Sequence, residues 1–350
     1  MKTYLNKALI YQWFNSAKFA IIAGVLFWGI YSNSIIDNVY MNILHGVSIF
    51  NSNEFETVGL EKYFILGLIF LVIYMLTFGV NKRNTEIFLS SGPYTKKQIK
   101  FNELICYMIT LGVFVLTYLY ISITFYIRNR ESFIMLNGYS TIIMIEIIKI
   151  ILLGMLGIII MLIIEAMFSN SMVGLVFMMV IPISFLFSVL EKFFSYHHRW
   201  INMVTFEDYS IDKELNGFRS CGIFDGYLRV NEIRMRNLFI ASLILIAIIL
   251  VFLLILNYVQ RKNSLENNVG FFASIWSKNI VVIYISVTFG IILSDLVLGG
   301  YKDKFTVPYY LSKKISVGSY LTGLGVDLGL SAVVGILIYI IFKKISKKLA

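Results

Sequence analysis

The stretches YFILGLIFLVIYMLTFGV at 63–80 and LFIASLILIAIILVFLLILNYV at 238–259 decide the fold class of this chain. Each is an unbroken apolar run without the alternation expected of a barrel strand, and each is long enough to cross about 30 Å of hydrocarbon as an α-helix. The chain is 58% hydrophobic and only 14% charged, which leaves too little polar surface for a water-soluble globule. The sequence therefore predicts an all-α, polytopic membrane helix bundle.

Similar runs predict about eight membrane-spanning helices. The fourth begins near Glu146 and Lys149, which are three residues apart and could form an ion pair. No small-residue cleavage site follows the first run, so we expect it to remain as a span rather than to be removed as a signal peptide. The predicted spans are Phe19–Ile36, Tyr63–Val80, Leu104–Ile127, Ile147–Phe168, Val173–Leu190, Leu238–Val259, Ile280–Gly300 and Ser319–Phe342.

Residues 1–18 precede the first span and carry Leu5, Leu9 and Trp13 at helical spacing. This pattern predicts an amphipathic helix that lies in the lipid headgroups. The alternative is a frayed polar leader.

The distribution of charge predicts that both termini are cytoplasmic, since an even number of spans places them on the same side. The two sides carry similar numbers of Lys and Arg, but the predicted cytoplasmic segments are short and contain only Glu86, Glu103 and Glu266 as acids. The long segment 192–236 is then an outer loop. The net charge of +10 is scattered along the membrane edges, which favours anionic lipid headgroups over nucleic acid as the partner.

The chain lacks the motifs of soluble catalytic machinery: it has no phosphate-binding loop, no dinucleotide-binding glycine motif, and no C-x-x-C or H-E-x-x-H metal signature. We therefore expect no catalytic residue, no metal and no cofactor bound by this chain. A disulfide between Cys106 and Cys221 is not expected, because the first should lie in a span and the second in the outer loop.

The histidines leave one alternative open. His45, His197 and His198 all fall in predicted outer segments that also contain Glu54, Glu207 and Asp208, so a metal or acid–base site is conceivable. Adjacent histidines do not share a helix face, however, and the pair before Arg199–Trp200 is also typical of a membrane interface.

Carboxylates inside predicted spans indicate either function or structural anchoring, because a charge is costly in hydrocarbon. Asp295 and Asp327 lie in the seventh and eighth spans, and neither has a basic partner nearby in its own helix. Across a hairpin they could share a proton or a hydrogen bond, or they could face a wet cavity or a protein interface. Glu165 lies near the cytoplasmic end of its span and could extend toward the headgroups.

Small residues and one proline predict where spans pack and bend. The eighth span should present a glycine face to another helix or, alternatively, to a substrate. Pro182 should kink or bend the fifth span. The glycines are Gly318, Gly323, Gly325, Gly329 and Gly335.

The sequence of the loop 81–103 predicts a helix, a break and a second helix. Gly92–Pro93 is the break, and Thr95 precedes Gln98 by the three residues of a capping box. The first piece, Thr85–Ser91, should lie along the membrane. Its Ile87, Phe88 and Leu89 could dock on the membrane or in a groove of another protein, and a simple amphipathic loop is the alternative.

This loop resembles the first cytoplasmic loop of ABC exporter permeases of the type-2 class, in which an Arg, a Thr and a Glu precede a break and a basic helix. The resemblance implies that Thr85–Ser91 is the coupling helix that contacts a separate ATPase. The matching residues are Arg83, Thr85, Glu86, Leu89, Pro93, Lys96, Lys97 and Gln98.

The resemblance extends over roughly residues 1–260, with an elbow helix at 1–18 and a six-span core at 19–259 that contains the coupling loop and the outer loop. The next cytoplasmic loop, 260–279, is similar to one in longer Gram-positive permeases through Arg261, Glu266 and Gly270. Residues 280–350, with two additional spans and a basic tail, depart from the six-helix pattern.

The resemblance implies a non-catalytic permease subunit in a bacterial plasma membrane. ATP and Mg would bind to a partner ATPase, and a second permease copy or a related chain would complete the transporter. Two other functions remain. One is a membrane enzyme that acts on lipid-linked substrates through outer-loop residues such as His197, His198, Glu207 and Asp208, and the other is a sensor or immunity protein that binds a ligand through 192–236 without an ATPase.

Overall fold

A computed structural model describes residues 5–50, 55–56, 60–77, 79, 82–133, 139–193, 195–196, 229–230, 232–262, 271–306 and 317–348. These residues form two compact units, which are described separately. The first contains the helices before residue 167 together with the helix that ends at Lys262, and the second contains the remaining helices.

The α-helices of the first unit are α1 (Lys7–Phe50), α2 (Phe64–Thr77), α3 (Lys82–Ser90), α4 (Lys96–Arg128), the single turn α5 (Arg130–Phe133), α6 (Tyr139–Met167) and α8 (Glu232–Lys262). Those of the second unit are α7 (Ser171–Phe185), α9 (Ile275–Thr306) and α10 (Val317–Lys348). The strands β1 (Phe55–Glu56) and β2 (Arg229–Val230) pair antiparallel in the first unit, with Phe55 opposite Val230. The all-α fold class is confirmed, and the chain is a multi-pass membrane protein.

Within the described residues, seven helices are long and apolar enough to cross a membrane, and they correspond to all of the predicted spans except the second. The second, predicted at Tyr63–Val80, is the 14-residue helix α2, preceded by a 3-10 turn at Leu60–Tyr63. An α-helix of that length spans only about 21 Å. Gly79, two residues after the last described residue of α2, has a positive φ of 44°, the left-handed conformation that is common just after a helix end.

The N-terminal segment corrects one prediction. The expected elbow helix at 1–18 has no boundary with the first span, since α1 runs without a break from Lys7. Leu9 and Trp13 are buried, and the indole of Trp13 packs edge-on against the ring of Tyr107 in α4 at 5.1 Å. Leu9 and Trp13 therefore pack on protein rather than on lipid headgroups, whereas Leu5, the third residue of the predicted apolar face, is 52% exposed.

The break between α3 and α4 forms as predicted. Thr95 caps α4 by accepting a hydrogen bond from the backbone N–H of Gln98, and the side chain of Gln98 accepts one from the backbone N–H of Thr95. This reciprocal capping box starts a helix that continues for 33 residues into the third span. Because α4 is continuous, any displacement of its first turn would also displace the third span.

The predicted pairing of Glu146 with Lys149 is also confirmed. Their side chains lie 3.3 Å apart and are completely buried in α6. The hydroxyl of Tyr63 donates a second hydrogen bond to Glu146. Because burying one of these charges alone would be costly, the pair allows α6 to carry them inside the unit.

The glycine face of the last span is only partly a packing face. A Cβ added at Gly290 of α9 would lie 2.6 Å from the Cα of Gly335, so these two helices approach backbone to backbone there. Nothing among the described residues lies within 4 Å of a Cβ added at Gly325 or Gly329, so no described helix of this chain packs closely against the G-x-x-x-G that they form. The helix turns these two residues to the side opposite Gly323 and Asp327, which are buried.

Candidate functional site at the helix Lys82–Ser90

Helix α3 rests on a cluster of five charged side chains, which we call the α3 cluster: Lys82, Glu86, Lys100, Glu103 and Glu165. Lys82 and Glu86 belong to α3, Lys100 and Glu103 to the first two turns of α4, and Glu165 to the last turn of α6. The helix ends that meet here are ends that the sequence predicts on one side of the membrane.

The ion pairs form a continuous network. Lys82 binds Glu103 and Glu165, and its ammonium also lies over the ring of Tyr74 at 4.6 Å from the centroid. Lys100 binds Glu86, contacts Glu165 at 2.9 Å and lies 3.6 Å from Glu103. Glu165 thus forms hydrogen bonds with both lysines, whereas Glu103 forms one with Lys82 and a longer ion pair with Lys100.

The network is largely removed from water. The side chain of Glu165 is 10% exposed and that of Lys82 is 4% exposed. Buried charges remain ionised only when partners compensate for the lost hydration, and removing one partner leaves the others uncompensated. Two lysines here face three glutamates, so both lysines are needed to limit the excess negative charge, and each glutamate contributes ion pairs to the network. The cluster therefore fixes α3 rigidly to α4 and α6.

Three of these carboxylates are close enough to be considered as metal ligands. Glu86, Glu103 and Glu165 each offer an oxygen within 4.8 Å of the others. The ammonium groups of Lys82 and Lys100 already bind these oxygens, however, and supply the positive charge that a cation would bring. The five side chains thus form an ion-pair network among themselves.

The opposite side of α3 is apolar and exposed. Phe88 is 74% exposed and Ile87 is 45% exposed, and Leu89 is half-buried. Glu86, one residue before Ile87, points to the cluster, so the helix has one charged face toward the protein and one apolar face away from it. Such a short amphipathic helix, fixed at its base, presents a preformed surface to a partner.

The other residues of the predicted coupling motif lie around this surface. Thr85 is half-buried in α3, Pro93 is exposed in the turn after it, and Lys96, Lys97 and Gln98 form the first turn of α4. The helix itself spans Lys82–Ser90 rather than the predicted Thr85–Ser91. The backbone of Arg83 lies in α3, but its side chain is outside the described part of the chain.

Glu165 was predicted to extend toward the headgroups, and this prediction is wrong. Its carboxylate is held inside the α3 cluster by Lys82 and Lys100. The sequence reasoning also missed Lys82, Lys100 and Glu103 as partners. The i, i+3 spacing of Lys100 and Glu103 at the border of a span was a signal for them, because charges at that position need compensation.

The two aspartates of the last hairpin are brought together, but not to share a proton. Lys192 at the end of the fifth span lies 2.8 Å from Asp295 and 2.7 Å from Asp327. Lys302 lies 2.6 Å from each of the same two carboxylates. The prediction that neither aspartate has a basic partner in its own helix is therefore wrong for Asp295, since Lys302 follows it by two turns of α9.

Several predicted residues fall outside the described part of the chain or are described only in part. Arg261 lies in the last turn of α8, but Glu266 and Gly270 are not described. Phe271–Ala273 after them pair with Met167–Ser169, with the N–H of Ser169 donating to the carbonyl of Phe271 at 2.9 Å. Cys106 is a buried free thiol. His197, His198, Glu207, Asp208, Glu54, Cys221 and the side chain of His45 are not described.

Comparison with protein-family models, with curated proteins and with solved structures finds no match to this chain.

Proposed function

We propose that this chain is the membrane-spanning permease subunit of an ATP-binding-cassette transporter, of exporter type, in a bacterial plasma membrane. A separate ATPase subunit would bind ATP and Mg and hydrolyse the nucleotide. A second copy of the chain or a related permease would supply the other half of the transporter. The permease itself would carry out no chemistry.

The observation that supports this proposal is the two-faced helix α3. Its apolar face, with Ile87 and Phe88, is exposed and is small enough to enter a groove on a globular partner. Its charged face is fixed to two long helices by the α3 cluster. A helix that served only as a connector would not need both features.

The geometry offers a route by which force on α3 could move the spans. Lys82 and Glu86 connect α3 to Lys100 at the start of α4 and to Glu165 at the end of α6. A displacement of α3 by an ATPase would therefore displace both spans together. The ATPase would favour one arrangement of the spans when its nucleotide sites close and another when they open.

The test uses the full-length chain with an affinity tag, purified from membranes of its own host in mild detergent. We expect a phosphate-loop ATPase to co-purify in stoichiometric amount, identified by mass spectrometry, and the complex to hydrolyse ATP. Phe88→Asp should lower the amount of bound ATPase at least about tenfold, because it places a charge in an apolar interface. Tyr11→Asp is the matched control, since Tyr11 is equally exposed.

Absence of any phosphate-loop ATPase from the purified chain, or equal recovery of the ATPase with the Phe88→Asp and Tyr11→Asp variants, would contradict the proposal. The orientation has its own test. Reporter fusions at residue 90 and residue 215 should report opposite sides of the membrane, with residue 90 in the cytoplasm.

A further inference from the structure

The fifth span is a continuous but irregular helix over Ser171–Phe193. α7 contains Pro182, which has no backbone N–H to donate, and it continues at Leu186–Leu190 as a π-helical turn before Glu191–Phe193. The hydroxyl of Tyr284 in α9 donates to the carbonyl of Ile181, the residue before the proline, at 2.6 Å. Helices with a proline and a π-turn bend more easily than regular ones, because fewer of their backbone hydrogen bonds are internal.

Lys192 lies at the end of this irregular helix and belongs to a group of four charged side chains. We call this group the Asp295 cluster: Lys192, Asp295, Lys302 and Asp327. Its four charges come from three helices and balance. The hydroxyl of Tyr196 also donates to Asp327, so the residues after the π-turn make a second contact with α10. All these helix ends are predicted to lie on the outer side of the membrane.

The cluster has a buried half and an accessible half. Lys302 and Asp327 are 6% and 5% exposed, whereas Lys192 and Asp295 are 22% and 40% exposed. Lys302 binds both aspartates and also donates to Ser331 at 3.2 Å. α9 and α10 are further held by the backbone approach of Gly290 and Gly335. The hairpin of α9 and α10 thus remains connected without Lys192.

From this asymmetry we propose that Lys192 acts as a releasable latch. When its ion pairs are formed, Lys192 holds the end of the fifth span against the α9–α10 hairpin. When they break, the fifth span is free to bend at Pro182–Leu190. In the released state the Tyr196 hydroxyl also leaves Asp327, Lys302 still bridges the two aspartates, and water solvates the freed ammonium and Asp295. The bending segment Pro182–Leu190, the α9–α10 hairpin and Lys192 all lie within the second unit. The inference does not depend on an ATPase partner, and in a permease this latch would control an opening on the outer side.

Hydrogen–deuterium exchange of the purified full-length chain tests the latch without added labels. In Lys192→Met, backbone amides of 183–193 should exchange about tenfold faster than in the parent, because local opening no longer has to break the ion pairs. Amides in α9 and α10 should exchange at the parent rate. Lys192→Arg should keep the parent rate throughout, since it keeps the charge.

Lys344→Met provides the matched control, because Lys344 is an exposed lysine of the same unit and should leave all rates unchanged. If Lys192→Met fails to fold, Asp295→Asn gives the same test with a smaller expected effect, since Lys192 keeps Asp327. Equal acceleration across α7, α9 and α10 would show that Lys192 only stabilises the fold, and an unchanged rate at 183–193 would show that it holds nothing. Either result overturns the proposal.

Discussion

The α3 cluster and the Asp295 cluster use the same chemistry, lysines that each bridge carboxylates from different helices, but differ in burial and charge balance. The first is buried throughout and has one carboxylate in excess, whereas the second is balanced and has its Lys192–Asp295 side open to water. Water can replace a lost partner only where it can reach. The α3 cluster is therefore suited to a permanent connection of α3 to α4 and α6. The Asp295 cluster is suited to a reversible connection of the fifth span to α9 and α10.

The largest effect should come from breaking the α3 cluster at Glu165, which forms hydrogen bonds with both lysines. Glu165→Gln should lower the free energy of unfolding by about 3–5 kcal/mol, because Lys82 and Lys100 each lose a charged hydrogen bond in a buried site, at about 1.5–3 kcal/mol each. Unfolding of the purified chain in SDS or on heating measures this. The exposed Glu131 supplies the control variant Glu131→Gln, which should be neutral. A loss below about 1 kcal/mol would remove the distinction between the clusters.

A second substitution tests whether α9 and α10 are held together by backbone packing rather than by charge. Gly290→Ala should cost about 1–3 kcal/mol, because its Cβ would lie 2.6 Å from the Cα of Gly335. Gly325→Ala on the open face should be neutral or stabilising by up to about 1 kcal/mol. The same unfolding measurement compares them, and equal effects would mean that α9 and α10 are not in close contact.

The Asp295 cluster should respond more weakly to loss of charge. Lys192→Met should lower the free energy of unfolding by about 1 kcal/mol, since Asp295 is solvated and Lys302 compensates both aspartates. Lys344→Met is again the reference. If Lys192→Met lowers the free energy of unfolding as much as Glu165→Gln does, the Asp295 cluster is as permanent a connection as the α3 cluster.

The smallest effect on stability should come from the exposed face of α3. Phe88→Asp should change the free energy of unfolding by no more than about 0.5 kcal/mol, because Phe88 is 74% exposed and no buried contact is lost. The same variant should strongly reduce ATPase binding, so its two readouts separate partner recognition from folding. A large loss of stability would instead indicate that Phe88 packs within the protein or in lipid.

The features that the sequence predicted are those that depend on neighbours in the chain. Apolar run length gave the membrane helices, Gly92–Pro93 and Thr95–Gln98 gave the break and the start of α4, and the spacing of Glu146 and Lys149 gave their ion pair. In each case the interacting groups are within about one helical turn, where the backbone geometry fixes what can meet.

Only the tertiary structure decided which distant charges meet. Glu165 lies 65 positions from Lys100, and Lys192 lies 135 positions from Asp327, so no local spacing could pair them. The same holds for the N-terminal segment, where an amphipathic pattern predicts an apolar surface but not whether lipid or α4 covers it. Sequence periodicity specifies which side of a helix needs burial, and the packing of helices far apart in the chain selects what buries it.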